Sequence, residues 1–272
     1  MTDLSMMIKK DSIKQMVIGS ILLIVAVALV VIQFSIPFNV QLFIMAILVF
    51  VVGGSILGSG ISDLIVSKNT RLTMNDPDQS HTNAKWPKRM FLEQTINKAT
   101  LYDMKENSYL SVLDQSAKEP KSPIIRFITL FLEIGSGATA LTALMAAKYK
   151  ITNQTGQTLF YFHKKAGFQW RGYVFDDQGK CIAFLDTRGK EKHLVLQYVD
   201  NRGVRWKAYR DVREFITITD SNGNEQVVIK PGGIPVEAAD RFARPNGYLL
   251  DWSESKQVPY SLLVFLFSVC KK

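Results

Sequence analysis

The sequence predicts a membrane α-hairpin followed by a mainly β domain, built as an antiparallel hairpin array or barrel. Three observations lead there. No Asp, Glu, Lys or Arg occurs from Gln15 to Ser62, while charges are scattered through everything from Asp63 onward. From Lys148, strand-like runs alternate with short polar turns that contain glycine. The chain then ends on an apolar run, Ser261 to Cys270, followed by Lys271 and Lys272.

A helix crosses a bilayer with about 20 apolar residues, and the uncharged stretch is long enough for two such helices. Ser35, Pro37 and Asn39 mark a turn near its middle, which gives helix one as 15–34 and helix two as 38–58. Lys9, Lys10 and Lys14 lie in a basic N-terminus (1–14), Lys68 and Arg71 follow helix two, and the connecting turn carries no cation. The positive-inside rule then places both ends of the hairpin, and the β domain behind it, in the cytoplasm. A cleaved signal peptide would also begin with a basic stretch, but the first apolar run is longer than an h-region and a second comes at once after it. Gly54 and Gly58 form a small-xxx-small pair that allows close packing of helix two, on helix one or on a second copy.

The region 63–123 reads as a polar linker. Asn75, Asp76, Pro77 and Asp78 are loop formers, and Met90, Phe91, Ile96, Leu101 and Met104 fall among charges in a loose helical register that predicts an amphipathic helix over Arg89 to Met104. Glu119 to Pro123 is a breaker. The stretch Ile124 to Ala147 fits two readings: the opening of the β domain, or a third membrane segment over 127–147 that would bury Glu133 at a high cost and carry the rest of the chain across the bilayer. Its Gly135-Ser136-Gly137 resembles the phosphate-cradling turn of cofactor-binding folds, but that turn needs alternating strands and helices and an acidic residue some 20 positions on. The chain beyond Lys148 has the pattern of successive hairpins instead.

Glycines 156, 179, 203 and 223 each sit in a polar turn between two strand-like runs, at a pitch of roughly twenty residues. Glycine is needed where φ is positive, and such a succession of hairpins is the pattern of a meander or barrel. Gly247 to Leu250 and Gln257 to Tyr260 add a looser fifth. The Ser261 to Cys270 run is too short to span a bilayer and apolar on every face, so it is buried on every face. It is either a strand of the sheet core or a helix threaded through a closed barrel.

These strand, Asp/Asn-x-x-Gly and strand units, closing on a wholly hydrophobic C-terminal segment, resemble the tubby C-terminal-like superfamily, which includes LURP-one-related and phospholipid-scramblase-like proteins. The resemblance covers about residues 148–272. It implies a barrel closed around a hydrophobic C-terminal helix, first strands within 124–147, and contact with membrane lipid through basic residues. No residue's role carries over from it, because no lipid-site motif matches.

A net charge of +9 favours an anionic partner, and in a membrane-tethered chain that partner is phospholipid rather than nucleic acid. The candidate lipid-binding residues are Lys164, Lys165, Arg171, Lys190, Lys192, Arg241 and Arg244. His81, His163 and His193 lie far apart, and Cys181 and Cys270 supply neither a disulfide framework nor a zinc ligand set, so the sequence offers no metal, cofactor or catalytic residue. Three functions rank in order: a non-catalytic, membrane-anchored lipid-binding or sensing module; a membrane-tethered scaffold with a protein partner or a second copy; and an enzyme using Gly135 and Gly137.

Overall fold

The computed structural model describes residues 4–35, 37, 39–70, 86–95, 98–115, 146–165, 170–187, 191–232, 247–253 and 258–270. The chain divides at residue 72 into two compact units, a helical hairpin and a barrel.

The hairpin consists of α1 (Leu4–Ser35) and α2 (Val40–Lys68). Both are long and apolar enough to cross a membrane. α1 begins ahead of Lys9, Lys10 and Lys14, and α2 runs ten residues past the expected end at 58, so each helix outlasts its apolar stretch. Asn39 caps α2 by accepting from the N–H groups of Gln41 (2.9 Å) and Leu42 (3.2 Å).

The two helices meet along residues spaced by seven, most of them small. Ser12, Gly19, Ala26 and Gln33 are buried on α1; Ala46, Gly53, Gly60 and Ser67 are buried on α2. A seven-residue repeat keeps one seam facing its partner in a left-handed pair. The approach is close: a Cβ on Gly19 would lie 2.7 Å from the Leu57 nitrogen, and one on Gly60 3.0 Å from the Ser12 carbonyl. Side chains tie the same seam, with Ser12 Oγ donating to the Gly60 carbonyl (2.7 Å), Ser5 Oγ to the Ser67 carbonyl (2.8 Å) and Gln15 Nε2 to Asp63 Oδ2 (3.1 Å). Gly54 and Gly58 take no part, since a Cβ on either would meet nothing within 4 Å. Packing of that pair on helix one is therefore excluded; the glycines that face α1 are Gly53 and Gly60.

The barrel has twelve strands: β1 (Arg89–Gln94), β2 (Lys98–Asp103), β3 (Ser108–Asp114), β4 (Ala147–Asn153), β5 (Thr158–Lys164), β6 (Arg171–Phe175), β7 (Cys181–Asp186), β8 (Leu194–Asp200), β9 (Gly203–Arg210), β10 (Ile216–Asp220), β11 (Glu225–Pro231) and β12 (Gly247–Trp252). Each pairs antiparallel with its neighbours in sequence, and β1 closes on β12 from Arg89 opposite Asp251 to Glu93 opposite Gly247. Closure leaves no open edge.

Two expectations are corrected here. Arg89 to Met104 is not an amphipathic helix but the β1–β2 pair, with Ile96 outside the described residues. The helical reading passed over Leu92, which is fully buried and completes a two-residue alternation with Met90 that Ala99 and Leu101 repeat on β2. The barrel also opens with β1 to β3, inside the stretch read as a linker, so its first strands lie ahead of 124. Residues 116–145, with the expected third segment and the Gly135-Ser136-Gly137 turn, lie outside the described residues.

One turn design recurs five times. Asp103, Asn153, Asp176, Asp211 and Asp220 each open a turn in which the side-chain oxygen accepts from the N–H four residues on, at 2.8 to 2.9 Å. The fourth residue of each has positive φ: Glu106 (69°), Gly156 (79°), Gly179 (76°), Glu214 (65°) and Gly223 (87°). Two turns thus use glutamate where the other three use glycine, which hides them from a search for glycine. Gly203 instead closes a tighter turn, paired directly with Asp200.

The apolar tail is a helix, α3 (Tyr260–Cys270), enclosed by the barrel, and every residue from Ser261 to Cys270 is buried. Its partners surround it: Phe160 on β5 packs on Tyr260 (ring centroids 5.9 Å apart), Tyr198 on β8 meets Phe265 edge-on (6.2 Å, 77°), Trp206 Nε1 on β9 donates to Ser261 Oγ (3.2 Å), and the Tyr248 hydroxyl on β12 donates to the Cys270 carbonyl (3.3 Å). With no polar face of its own, α3 is stable only where apolar side chains meet it all round.

Candidate functional site

In a barrel whose strands run alternately up and down, successive connections leave from opposite ends, so the parity of a connection decides which end its residues occupy. The β2–β3, β4–β5, β6–β7, β8–β9 and β10–β11 turns share one end. Their turn chemistry places Asp103, Asp176, Asp177, Asp200 and Asp220 there. The β1–β2, β3–β4, β5–β6, β7–β8, β9–β10 and β11–β12 connections share the other, which carries the longer loops.

The described lipid-binding candidates all fall at the long-loop end: Lys164 closes β5, Lys165 comes directly after it, Arg171 opens β6 and Lys192 lies between β7 and β8. Lys98, Lys148, Arg210 and Arg213 join them at strand ends or in turns on that side. Lys190, Arg241 and Arg244 lie outside the described residues. Both ends carry both signs among the described residues: Lys105, Lys180 and Arg202 lie at the short turns, and Asp114, Asp186, Glu191, Asp211 and Glu214 at the long-loop end. The barrel is thus only weakly polar, with a small excess of carboxylates at the short turns and of cations at the long loops.

The four described candidates differ in what they offer. Lys164 shares the inward face of β5 with Phe160 and Phe162 and is only 7% exposed. Desolvation by burial lowers its pKa. Tyr149, Phe162 and Trp170 form a stack in the buried core, with centroids 5.7 and 5.4 Å apart. The Phe162 ring lies directly on Gly172, where a Cβ would come within 2.3 Å of Cε2. Trp170 Nε1 is buried with no hydrogen-bond partner among the described residues. Lys164 thus lines the interior rather than the surface. Lys165 holds its ammonium 5.6 Å from the centre of the Tyr173 ring, and Arg171 Nε lies 3.9 Å from Asp186 Oδ1. Lys192 is exposed.

Nearby, Glu191 accepts from Lys207 Nζ (2.6 Å) and from the Tyr209 hydroxyl. The bond from Lys207 and then that from Tyr209 hold the Glu191 carboxyl below its usual range, while Glu191 in turn raises Lys207. That ties Lys207 to the barrel wall. Arg210 bonds Glu214 at 3.3 Å. Arg213, exposed at the tip of the β9–β10 turn, makes no ion pair among the described residues. Arg210 and Arg213 lie outside the candidate set drawn from the sequence; the Asp211–Phe215 turn beside them has glutamate at its positive-φ position. Among the described residues no group of three or more His, Cys, Asp or Glu side chains is placed to hold a metal ion.

No family model matches the sequence, and no curated protein matches it. Among solved structures, the chain is similar to a protein from Arabidopsis thaliana determined by X-ray crystallography, at 12% identity and a TM-score of 0.41, over 73% of this chain and 96% of that one.

Proposed function

We propose that this protein is a membrane-anchored, non-catalytic module that binds or senses anionic phospholipid through its barrel, in the cytoplasm, and that the barrel is of the tubby-like type. The observation that carries the reading is the excess of cations at the long-loop end of the barrel. An anionic leaflet attracts juxtamembrane cations by about 1 kcal/mol each close to the surface and loses its hold within a Debye length. A barrel with an excess of cations at one end and of carboxylates at the other meets such a surface with the long-loop end first. Anchoring by α1 and α2, whose flanking cations favour the cytoplasmic side, keeps the barrel at a high effective concentration beside the leaflet, so modest contacts suffice. The barrel closed around α3 supports the tubby-like assignment through its architecture.

The test uses the full chain in nanodiscs of phosphatidylcholine alone or mixed with phosphatidylserine, read by hydrogen exchange. The ends of β5, β6, β9 and β10 at the long loops gain protection in the anionic discs, and added salt removes it, while the short turns do not change. Equal exchange in both kinds of disc, or protection at the acidic turns, refutes the lipid reading and favours a protein partner.

A further inference from the structure

The β9–β10 turn, Asp211–Phe215, lies at the basic end and exposes an apolar side chain at its tip. Val212 is 94% exposed, more than any other large hydrophobic residue among those described, Phe34 at the end of α1 (87%) included. A single exposed valine on a loose loop would need no explanation, but this turn is not loose. Asp211 Oδ1 accepts from the N–H groups of Arg213 (2.8 Å) and Phe215 (2.9 Å), the Asp211 N–H donates to the Phe215 carbonyl (2.9 Å), and the Arg210 N–H donates to the His193 carbonyl (3.0 Å). Three turns of the same design at the acidic end carry polar Gln154, Asp177 and Ser221 in the equivalent place, and the fourth half-buries Met104. Only at the basic end does the design hold an apolar group out into solvent.

We propose that Asp211–Phe215 is an insertion tip, with Val212 entering the boundary between headgroups and acyl chains while Arg213 meets the lipid phosphates. The proposal rests on the lipid-binding reading and adds its mode of contact. An interface that is anionic outside and apolar just beneath matches an exposed valine beside an exposed guanidinium on a rigid support. Neither group alone holds a protein on a membrane, since stable attachment takes both an apolar and a cationic signal. In a chain already tethered by two helices, the weak pair acts as a reversible contact that reports the anionic lipid content of the leaflet.

The experiment uses the full chain carrying Val212→Cys, Lys192→Cys or Val204→Cys, labelled with an environment-sensitive fluorophore. Both native cysteines are buried, so native-state labelling is selective. The samples are phosphatidylcholine nanodiscs with or without phosphatidylserine and with a quencher on the lipid acyl chains. Quenching is expected at 212 above that at 192, none at 204 on the opposite end, and only in the anionic discs. With the label at 192, Val212→Ser lowers the ratio of engaged to free barrel about tenfold, the value of burying one valine. Quenching at 192 with none at 212 overturns the insertion tip and leaves the lipid reading standing. No quenching at either position in anionic discs overturns both, and equal quenching at 212 in neutral discs overturns the role given to Arg213.

Discussion

Replacing Phe265 with alanine tests whether α3 is the core of the barrel or a helix resting against it. The ring is fully buried and stands edge-on to Tyr198, itself almost fully buried. Removing a buried phenylalanine ring costs about 3–5 kcal/mol, because the apolar transfer is lost and the cavity left behind closes only in part. The net stability of a domain is about 5–15 kcal/mol, so the variant loses a large share of it. At roughly 2–4 °C per kcal/mol for a domain of this size, the melting temperature falls by about 6–20 °C. The assay is thermal unfolding of the full chain in mild detergent, monitored by near-ultraviolet circular dichroism, with reactivity of Cys270 toward a thiol reagent as a second reading. Phe265→Leu keeps most of the buried volume and loses less. Val212→Ala, at an exposed tip, leaves the barrel's melting unchanged. A drop of under about 2 °C in Phe265→Ala, below what loss of a buried ring allows, would refute the enclosed helix, as would rapid labelling of Cys270 in the native wild-type chain.

Other substitutions separate the remaining claims. Gly53→Val drives a side chain into α1, where a Cβ already lies 2.9 Å from Leu22 Cβ, while Gly54→Val points into open space; cross-linking of cysteines placed at Ser5 and Ser67 is lost in the first and kept in the second. Glu106 holds φ at 69° in a turn three of whose four sister turns use glycine, so Glu106→Gly stabilises the barrel by about 1 kcal/mol in denaturant melts, and an unchanged midpoint would show that the backbone there is unstrained. Burial, with a smaller contribution from Asp114, pushes the Tyr149 hydroxyl up to about 12 from 10.0. Its neutral form is therefore favoured by folding: stability is whole below pH 10, falls as the unfolded chain ionises first, and is lost through pH 12. Tyr149→Phe makes that alkaline decline shallower, and an identical slope in the variant would contradict the buried position.

The two long apolar helices were legible because their composition is uniform over a whole segment, which survives any error about individual contacts. Which glycines face the partner helix was not. Gly54 and Gly58 match the familiar four-residue spacing, but the helices pack along a seven-residue repeat, visible in the sequence as Ser12, Gly19, Ala26 and Gln33 against Ala46, Gly53, Gly60 and Ser67 only once both helices are read together. The hairpins around Gly156, Gly179, Gly203 and Gly223 declared themselves because positive φ selects glycine locally. Those at Asp103 and Asp211 did not, because an aspartate accepting backbone hydrogen bonds lets glutamate occupy the same position.

What the sequence determined by itself was therefore whatever a short window can enforce: the apolar spans, most of the turns, and the need for the Ser261 to Cys270 run to be buried on every side. Only the tertiary structure decided that this run is a helix inside a closed barrel, because burial on all faces suits a strand and a helix equally until the surrounding side chains are in place. It also decided that β1 to β3 complete the ring, since closure depends on pairing Arg89 with Asp251 across most of the barrel sequence. The gathering of cations at the long-loop end arises from that closure. Lys165, Arg171, Lys192 and Arg213 are separated along the chain and gather at one end because connections of the same parity emerge together, a property of the closed barrel that no single segment contains.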